Sequence, residues 1–515
     1  KKKNPPRTGF LPYAAGFLAV PFSVRVCGSA KPANMKKKTI QGGLSVKELD
    51  ASVHPADDFF RYVNGTWRKK TDIPADKSRW GSFDILREES AKTLREILED
   101  ISGKKRKSLS EEERKLGALY LSGMNEKKRD ATGYMDLILY IQKIQTVTKE
   151  GLPTCIHEMN TIGVSPFFSL HVDYDDKNSD MHVIRIHQGG LSLPDRDYYL
   201  EKSARFAHIR EKYLAYIEKI FMLVGENKKD AAKKARLILE IETRFAQKHI
   251  PRVETRDPKK NYHKMSVRTL AKKYGPFGWE TLIASLRKEK IREVIVGQIR
   301  FTKFISKEIV ALPLPDIRIY LVWHLLDTYA SALGKKFRTA SFDFHGKTIV
   351  GAKKQRPLWK QTVGVVDGYM GEAIGKLYVK KHFPAKARAQ METLVRNVKE
   401  VFKERIRALA WMDKGTKTHA LKKLSTLVTK VGHPRKWKSY ANLSIAKDSY
   451  AQNIIRLNIF HFEYEMAKVG KRSDRAEWHM SPSTVNAYYS PNFNEIVFPA
   501  AILQPPFFSA SADDA

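Results

Sequence analysis

The chain has almost no cysteine: two residues in 515, Cys27 and Cys155. That excludes a disulfide-stapled scaffold and any zinc module built from cysteine pairs. It also lacks a second long apolar run, and its mean hydropathy is −0.44, which excludes a polytopic membrane protein. Acidic residues are scarce beside basic ones, 56 Asp and Glu against 93 Lys and Arg, for a formal net charge of +37. Several chemical signatures are missing too. No Gly-rich phosphate loop and no Gly-x-Ser-x-Gly elbow occurs. Of fifteen histidines only His157 precedes a glutamate, and Thr161 stands where the second histidine of a His-Glu-x-x-His zinc motif belongs. Asp173-x-Asp175-x-Lys177 starts like a calcium loop, but a lysine fills a ligand position and the glycine is absent, so a polar hairpin turn is expected. His461-x-Glu463-x-Glu465 alternates faces on a helix, which suits a surface better than a metal. By motif alone the chain shows no catalytic centre.

What is present describes a large folded protein. With 42% apolar and 10% aromatic residues, the chain can bury a substantial core, and its length allows roughly two to four domains. The positive charge favours polyanionic partners through counterion release. Its Lys and Arg residues, however, are scattered along the chain and interrupted by Asp and Glu in nearly every helix-like segment. No aromatic RNA motif, finger spacing or basic heptad accompanies them. A solvated basic surface is therefore the expectation, with no nucleic-acid partner.

The N-terminus reads as an address. Lys1, Lys2, Lys3 and Arg7 precede an apolar run from Gly9 to Val24 that Pro12 and Pro21 interrupt. This is too short and broken for a membrane span and matches the basic-then-apolar order of a secretory signal. Cys27, followed by Gly28 and Ser29, stands where a bacterial lipoprotein signal places its acylated thiol. Arg25 and Val26 fill positions where small residues are normal, so plain cleavage and an uncleaved tail stay open. Residues 1–27 are thus expected to be a signal or lipoprotein-like segment with Cys27 as the lipidation site, and 28–44 a polar tether. The protein is expected to be exported to the cell envelope or periplasm, with a lipid anchor as one outcome.

From Leu44 onward most segments carry apolar residues at helical spacing. Ser110-Glu111-Glu112-Glu113 has capping-box spacing and should open a helix. Two stripes, Ile209–Tyr213–Tyr216–Ile217–Ile220 and Leu394–Val398–Val401–Phe402–Ile406–Leu409, are expected to be core. One hairpin interrupts them, with strands over 167–172 and 182–187 around a turn over 175–180. A second extended stretch runs from Asn486 to Pro499 with a break at Ser490-Pro491-Asn492. The expectation is a mainly α protein with a small sheet near its C-terminus.

Four separated blocks, in order, resemble the neprilysin family of zinc endopeptidases, which includes endothelin-converting enzyme and the bacterial oligopeptidase O enzymes. The first runs from Asp57-Asp58-Phe59-Phe60-Arg61-Tyr62-Val63-Asn64-Gly65-Thr66-Trp67 through Ser78-Arg79-Trp80-Gly81-Ser82-Phe83-Asp84 to Arg87. The second is Leu191-Ser192-Leu193-Pro194-Asp195-Arg196-Asp197-Tyr198-Tyr199, and the third Met370-Gly371-Glu372-Ala373-Ile374-Gly375-Lys376-Leu377-Tyr378-Val379 with Trp411-Met412-Asp413. The fourth is Val485-Asn486-Ala487-Tyr488-Tyr489, continuing through Val497-Phe498-Pro499 to Leu503-Gln504-Pro505-Pro506-Phe507-Phe508.

The resemblance implies a two-lobed, mainly α architecture: a segment over 45–95 packing on the catalytic lobe, a helical cap lobe over 96–415, and over 416–515 the start of a thermolysin-like catalytic lobe bearing a small β-sheet. In that family the His-Glu-x-x-His helix and the third zinc ligand follow the Leu-Gln-Pro-Pro-Phe-Phe block. Zinc would therefore be the cofactor of the complete enzyme, with no ligand in these 515 residues, and the chain alone is expected to be inactive. Phe507 and Phe508 are expected to lie on apolar surface left open in 416–515, with aggregation or partial disorder there. The implied function is hydrolysis of oligopeptides by a monomeric zinc metalloendopeptidase; an inert peptide-binding protein of the same fold is the alternative, and a binder of anionic polymers stands further off. Asn486 and Ala487 match the family's edge-strand element that holds extended substrate. Arg79 and Arg87 match two arginines that can grip a substrate carboxylate, a task suited to the planar guanidinium fork. Eight residues apart, the two would share a face only if the chain between them were helical.

Overall fold

The structure, a computed structural model, describes residues 46–287, 291–447 and 449–510. The signal-like segment 1–27, the tether 28–44 and Cys27 lie outside the described residues. The fold is mainly α, with eighteen α-helices and two small sheets among the described residues.

Local sequence explains the helices that frame the site. Leu86, Ser90, Leu94, Ile97, Leu98 and Ile101 recur at threes and fours on helix Ser82–Gly103 and are all buried. That face packs against helices Glu111–Met124 and Leu358–His382. Helix Glu111–Met124 opens with the expected capping box: Ser110 Oγ accepts from Glu113 N at 3.2 Å while Ser110 N donates to Glu113 Oε2 at 2.8 Å.

The hairpin is longer and its turn tighter than predicted, with β1 at Phe168–Asp175 and β2 at Asn178–Gln188. Asp175 belongs to the strand because its buried carboxylate accepts from Tyr262 Oη at 2.8 Å and lies 3.1 Å from Lys264 Nζ. Two short strands, β3 at His263–Ser266 and β4 at Glu293–Val296, complete a four-stranded sheet in the order β1-β2-β4-β3, with β2 and β4 parallel. This sheet was not anticipated. The second sheet is the anticipated C-terminal one: β5 at Val428–Gly432, β6 at Tyr488–Ser490 and β7 at Glu495–Pro499, in the order β5-β7-β6. Strand β6 is its edge beside the candidate substrate element.

One stripe meets its expectation and the other does not. Ile209, Tyr213, Tyr216, Ile217 and Ile220, on helix Ala204–Leu223, are all at most 5% exposed. On helix Ala385–Ala408, Ile406 is buried, but Val398 is 59%, Val401 51% and Phe402 54% exposed. No described element covers that middle section, so its periodicity records an apolar face and not a core. Cys155 is a buried free thiol, pushed up to about 11 by its burial. Phe507 is 39% exposed, yet its ring meets Phe83 at 4.3 Å between centroids, and Phe508 packs against the core.

Candidate functional site

The segment that carries Asn486 is held from three sides. Ser90 Oγ, on helix Ser82–Gly103, donates to Ser483 O at 3.1 Å, and Ala501 N donates to Pro482 O at 2.9 Å. On helix Leu358–His382 two glycines let the turn come close: a Cβ on Gly371 would lie 2.6 Å from Ser481 Cβ, and one on Gly375 2.7 Å from Pro482 Cδ. Within the turn Ser481 Oγ lies 3.0 Å from Ser483 Oγ and 2.9 Å from Thr484 Oγ1. Asn486 N then donates to Thr484 O at 3.0 Å, and the chain enters β6 one residue after Ala487. Asn486 Oδ1 accepts from Ala487 N at 2.9 Å. The amide oxygen is therefore spoken for, which leaves Asn486 Nδ2 as donor and the Ala487 carbonyl as acceptor for an incoming backbone.

Arg79 and Arg87 are brought together by a residue the sequence reading missed. The helix begins only at Ser82, so Arg79 lies outside it. Asp84, in the first turn, lies between them: Arg79 Nε is 3.8 Å from Asp84 Oδ2 and Arg87 Nη1 is 3.3 Å from Asp84 Oδ1. The Arg87 guanidinium also stands 5.6 Å over the Phe83 ring, the ring that meets Phe507. Asp84 is an i−3 partner of Arg87, the one local signal that could have found it.

Arg79, Arg87 and Asn486 line the same cavity, of about 900 Å³. Its wall is cross-braced by charge. Lys360 Nζ is 3.0 Å from Asp76 Oδ2 and 2.6 Å from Glu88 Oε2, and Lys77 Nζ is 2.6 Å from Glu88 Oε1. Burial alone would raise both carboxyl pKa values, but the lysine hydrogen bonds outweigh it and hold Asp76 and Glu88 below the usual range. A π-helical turn, Phe342–Ile349, supplies Phe342, His345 and Gly346 to the wall. His345 Nε2 lies 2.9 Å from half-buried Asp327; burial lowers the imidazole pKa, and the Asp327 bond more than reverses that.

A second cavity, of about 560 Å³, adjoins the first, and Asp367, Met480 and Thr484 line both. Here the surface expectation for His461 and Glu465 is corrected: both face this cavity, and only Glu463 is exposed. The His461 ring bonds Tyr369 O at 2.9 Å, and burial drives it down to about 4. Burial also lowers the Lys438 ammonium to about 8, where it sits 3.6 Å over the Tyr464 ring. Among the described residues no group of three His, Cys, Asp or Glu side chains is placed to hold a metal. The described residues do not fit a zinc site.

With the geometry in place, the description "Peptidase family M13" matches residues 55–434 and again 486–515, the second match starting at Asn486. This chain belongs to peptidase family M13. Neprilysin-3 of Drosophila melanogaster is 31% identical over 494 residues, covering 90% of this M13 chain and 62% of the relative. Human endothelin-converting enzyme 1 is 30% identical over 490 residues, covering 91% and 63%. The M13 chain thus spans less than two thirds of the length of these relatives. The inhibitor complex of Mycobacterium tuberculosis zinc metalloprotease Zmp1 superposes with a TM-score of 0.87 at 32% identity, covering 92% of this chain and 72% of that one. PepO of Lactobacillus rhamnosis shares the fold at a TM-score of 0.82 and 22% identity, covering 90% and 73%.

Proposed function

We propose that this chain serves in zinc-dependent metalloendopeptidase hydrolysis of oligopeptides, and that the contribution of its described residues is to grip the substrate. The observation that carries this reading is Asn486 in the wall of the first cavity, followed directly by Ala487 and edge strand β6. An edge strand offers unpaired backbone groups to an extended peptide. Asn486 Nδ2 donates to a substrate carbonyl, the Ala487 carbonyl accepts a substrate N–H, and the Arg79–Asp84–Arg87 group receives the substrate's carboxylate end. A carboxylate arriving there competes with Asp84 for both guanidiniums, which raises specificity for groups that can bridge the two. The relatives' names, endothelin-converting enzyme and zinc metalloprotease, support the reaction class. Export to the cell envelope, acylation at Cys27 and a monomeric state belong to the same proposal; radiolabelled fatty acid incorporated into the wild type and not into Cys27→Ser tests the anchor.

The test of the main reading is calorimetric titration of oligopeptides into the protein. Asn486→Ala should weaken binding by about tenfold, the scale of one hydrogen bond left unmade at a buried contact. Chelator-sensitive cleavage accompanying that binding supports the endopeptidase; binding without cleavage moves the assignment to an inert peptide binder. Unchanged affinity in Asn486→Ala removes the edge-strand site.

A further inference from the structure

The carboxylates of the first cavity are matched with cations, with one exception. Asp84 has its two arginines, Asp76 has Lys360, and Glu88 has Lys77 and Lys360. Asp367 has no Lys, Arg or His partner within 4.0 Å among the described residues. Its only hydrogen bonds come from the hydroxyls of Ser481, at 3.4 Å, and Ser483, and both fall on Oδ1. Oδ2 is left without a partner on a side chain that lines both cavities.

The surroundings leave room for a counter-charge and favour one. Gly364 lies one turn before Asp367 on the same helix and Gly368 next to it, and apart from the adjoining residues and backbone of that helix neither has an atom within 4 Å of where a Cβ would stand. The helix surface beside the carboxylate is therefore open to close approach. Beyond Asp367 the second cavity presents Glu372, Glu465, Glu477 and Asp173 against only two lysines, Lys438 and Lys468. Lys468 is already held by Glu465 at 2.8 Å and by Glu477 at 2.7 Å. At the rim of the first cavity Lys354 and Arg356 are exposed and lack a carboxylate partner among the described residues. The chamber is thus positive at this rim and negative where its two cavities meet.

We propose that Asp367 is a specificity-determining residue of the peptide site, where Oδ2 pairs with the cationic side chain of a lysine or arginine in the bound peptide. This rests on the peptide-gripping reading above and names the substrate class within it: oligopeptides with a basic residue that reaches past the Ser481–Thr484 turn. The side chain is half-buried, and burial raises its pKa. A guanidinium or ammonium restores the missing partner, whereas a neutral side chain leaves the carboxylate uncompensated.

The experiment is titration of the full chain with a series of alanine-based oligopeptides carrying one arginine at each position in turn, each paired with its citrulline counterpart. Citrulline keeps the shape and removes the charge. For at least one position wild type should bind the arginine peptide about tenfold more tightly. In Asp367→Asn, which keeps an oxygen to accept the serine hydroxyls, that ratio should fall to about one. Ser483→Ala loosens the turn but leaves the charge, so it should lower affinity for both peptides and keep their ratio, separating pairing from positioning. Equal binding of every arginine and citrulline pair by wild type overturns the inference while peptide gripping stands. A ratio that survives in Asp367→Asn overturns it as well. If no peptide binds, the gripping reading fails and takes the inference with it.

Discussion

Helices Ala204–Leu223 and Ala385–Ala408 carry apolar stripes of the same spacing and meet opposite fates. The first stripe is sealed inside the helical core, where Tyr213 and Tyr216 meet Trp323 edge-on and Tyr216 stacks on Phe344. The second leaves Val398, Val401 and Phe402 more than half exposed, with Trp411 76% exposed just beyond the helix. Periodicity states that a face is apolar; it does not state what covers it. The sealed stripe also carries a polar lock. Tyr213 Oη donates to Glu242 Oε2 at 2.8 Å, Tyr199 Oη donates to the same oxygen at 2.8 Å, and Ser192 Oγ donates to Oε1 at 2.7 Å. Leu193 N in turn donates to Tyr199 Oη at 2.9 Å. The Leu193–Tyr199 block that carried part of the family resemblance thus serves as internal structure.

Three experiments would break or sharpen this contrast. The largest effect is expected from Tyr213→Ala in the sealed stripe. Removing a fully buried ring and one Glu242 donor should cost about 4 kcal/mol in denaturant unfolding. A loss below about 1 kcal/mol would mean the stripe is not packed as described. The second effect is a pH dependence. Burial lifts the Glu242 carboxyl from 4.5 to about 7, with the Ser192, Tyr213 and Tyr199 bonds offsetting it only in part. Between those values the folded chain holds a proton that the unfolded chain releases. The stability contribution is therefore full below pH 4.5 and is lost as pH rises to about 7, a change of about 3 kcal/mol. Glu242→Gln should remove this falling contribution and leave the rise that buried histidines such as His324 and His461, lowered to about 4, contribute over the same window, so the slope of unfolding free energy turns upward relative to wild type; an unaltered slope would exclude Glu242 as a contributor. The smallest effect is expected on the open stripe. Val398→Ser and Phe402→Ser should each stay within about 0.5 kcal/mol of wild type, whereas losses near those of Tyr213→Ala would show that something covers this face.

What could be read from sequence was local. The Ser110 capping box, the hairpin and the extended stretch around Asn486 rest on residues within a few positions of each other, and all three are found. Strands β3 and β4 are four residues each and form through pairing with distant β2, so no window of sequence contains their signal. The candidate site divides the same way. Asn486, Ala487, Arg79 and Arg87 came from motif resemblance, and Asp84 was within reach of helix spacing. Asp367 was not: it meets the turn beside Asn486 only through contacts more than a hundred residues away in sequence. His461 and Glu465 were read as surface because helix spacing cannot show that a cavity, and not bulk water, lies outside a helix face.

The bond from Ser90 to Ser483 joins residues 393 positions apart. At ribosomal rates helix Ser82–Gly103 waits roughly 20 to 80 seconds for the turn it must hold. Much of the helical core can form during that interval from contacts closer in sequence, so the first cavity closes only after that core. Until then, the apolar and charged groups that will line it face the open solution of the nascent chain. A pause in translation before residue 483 would thus leave a helical body whose first cavity lacks the turn that closes it.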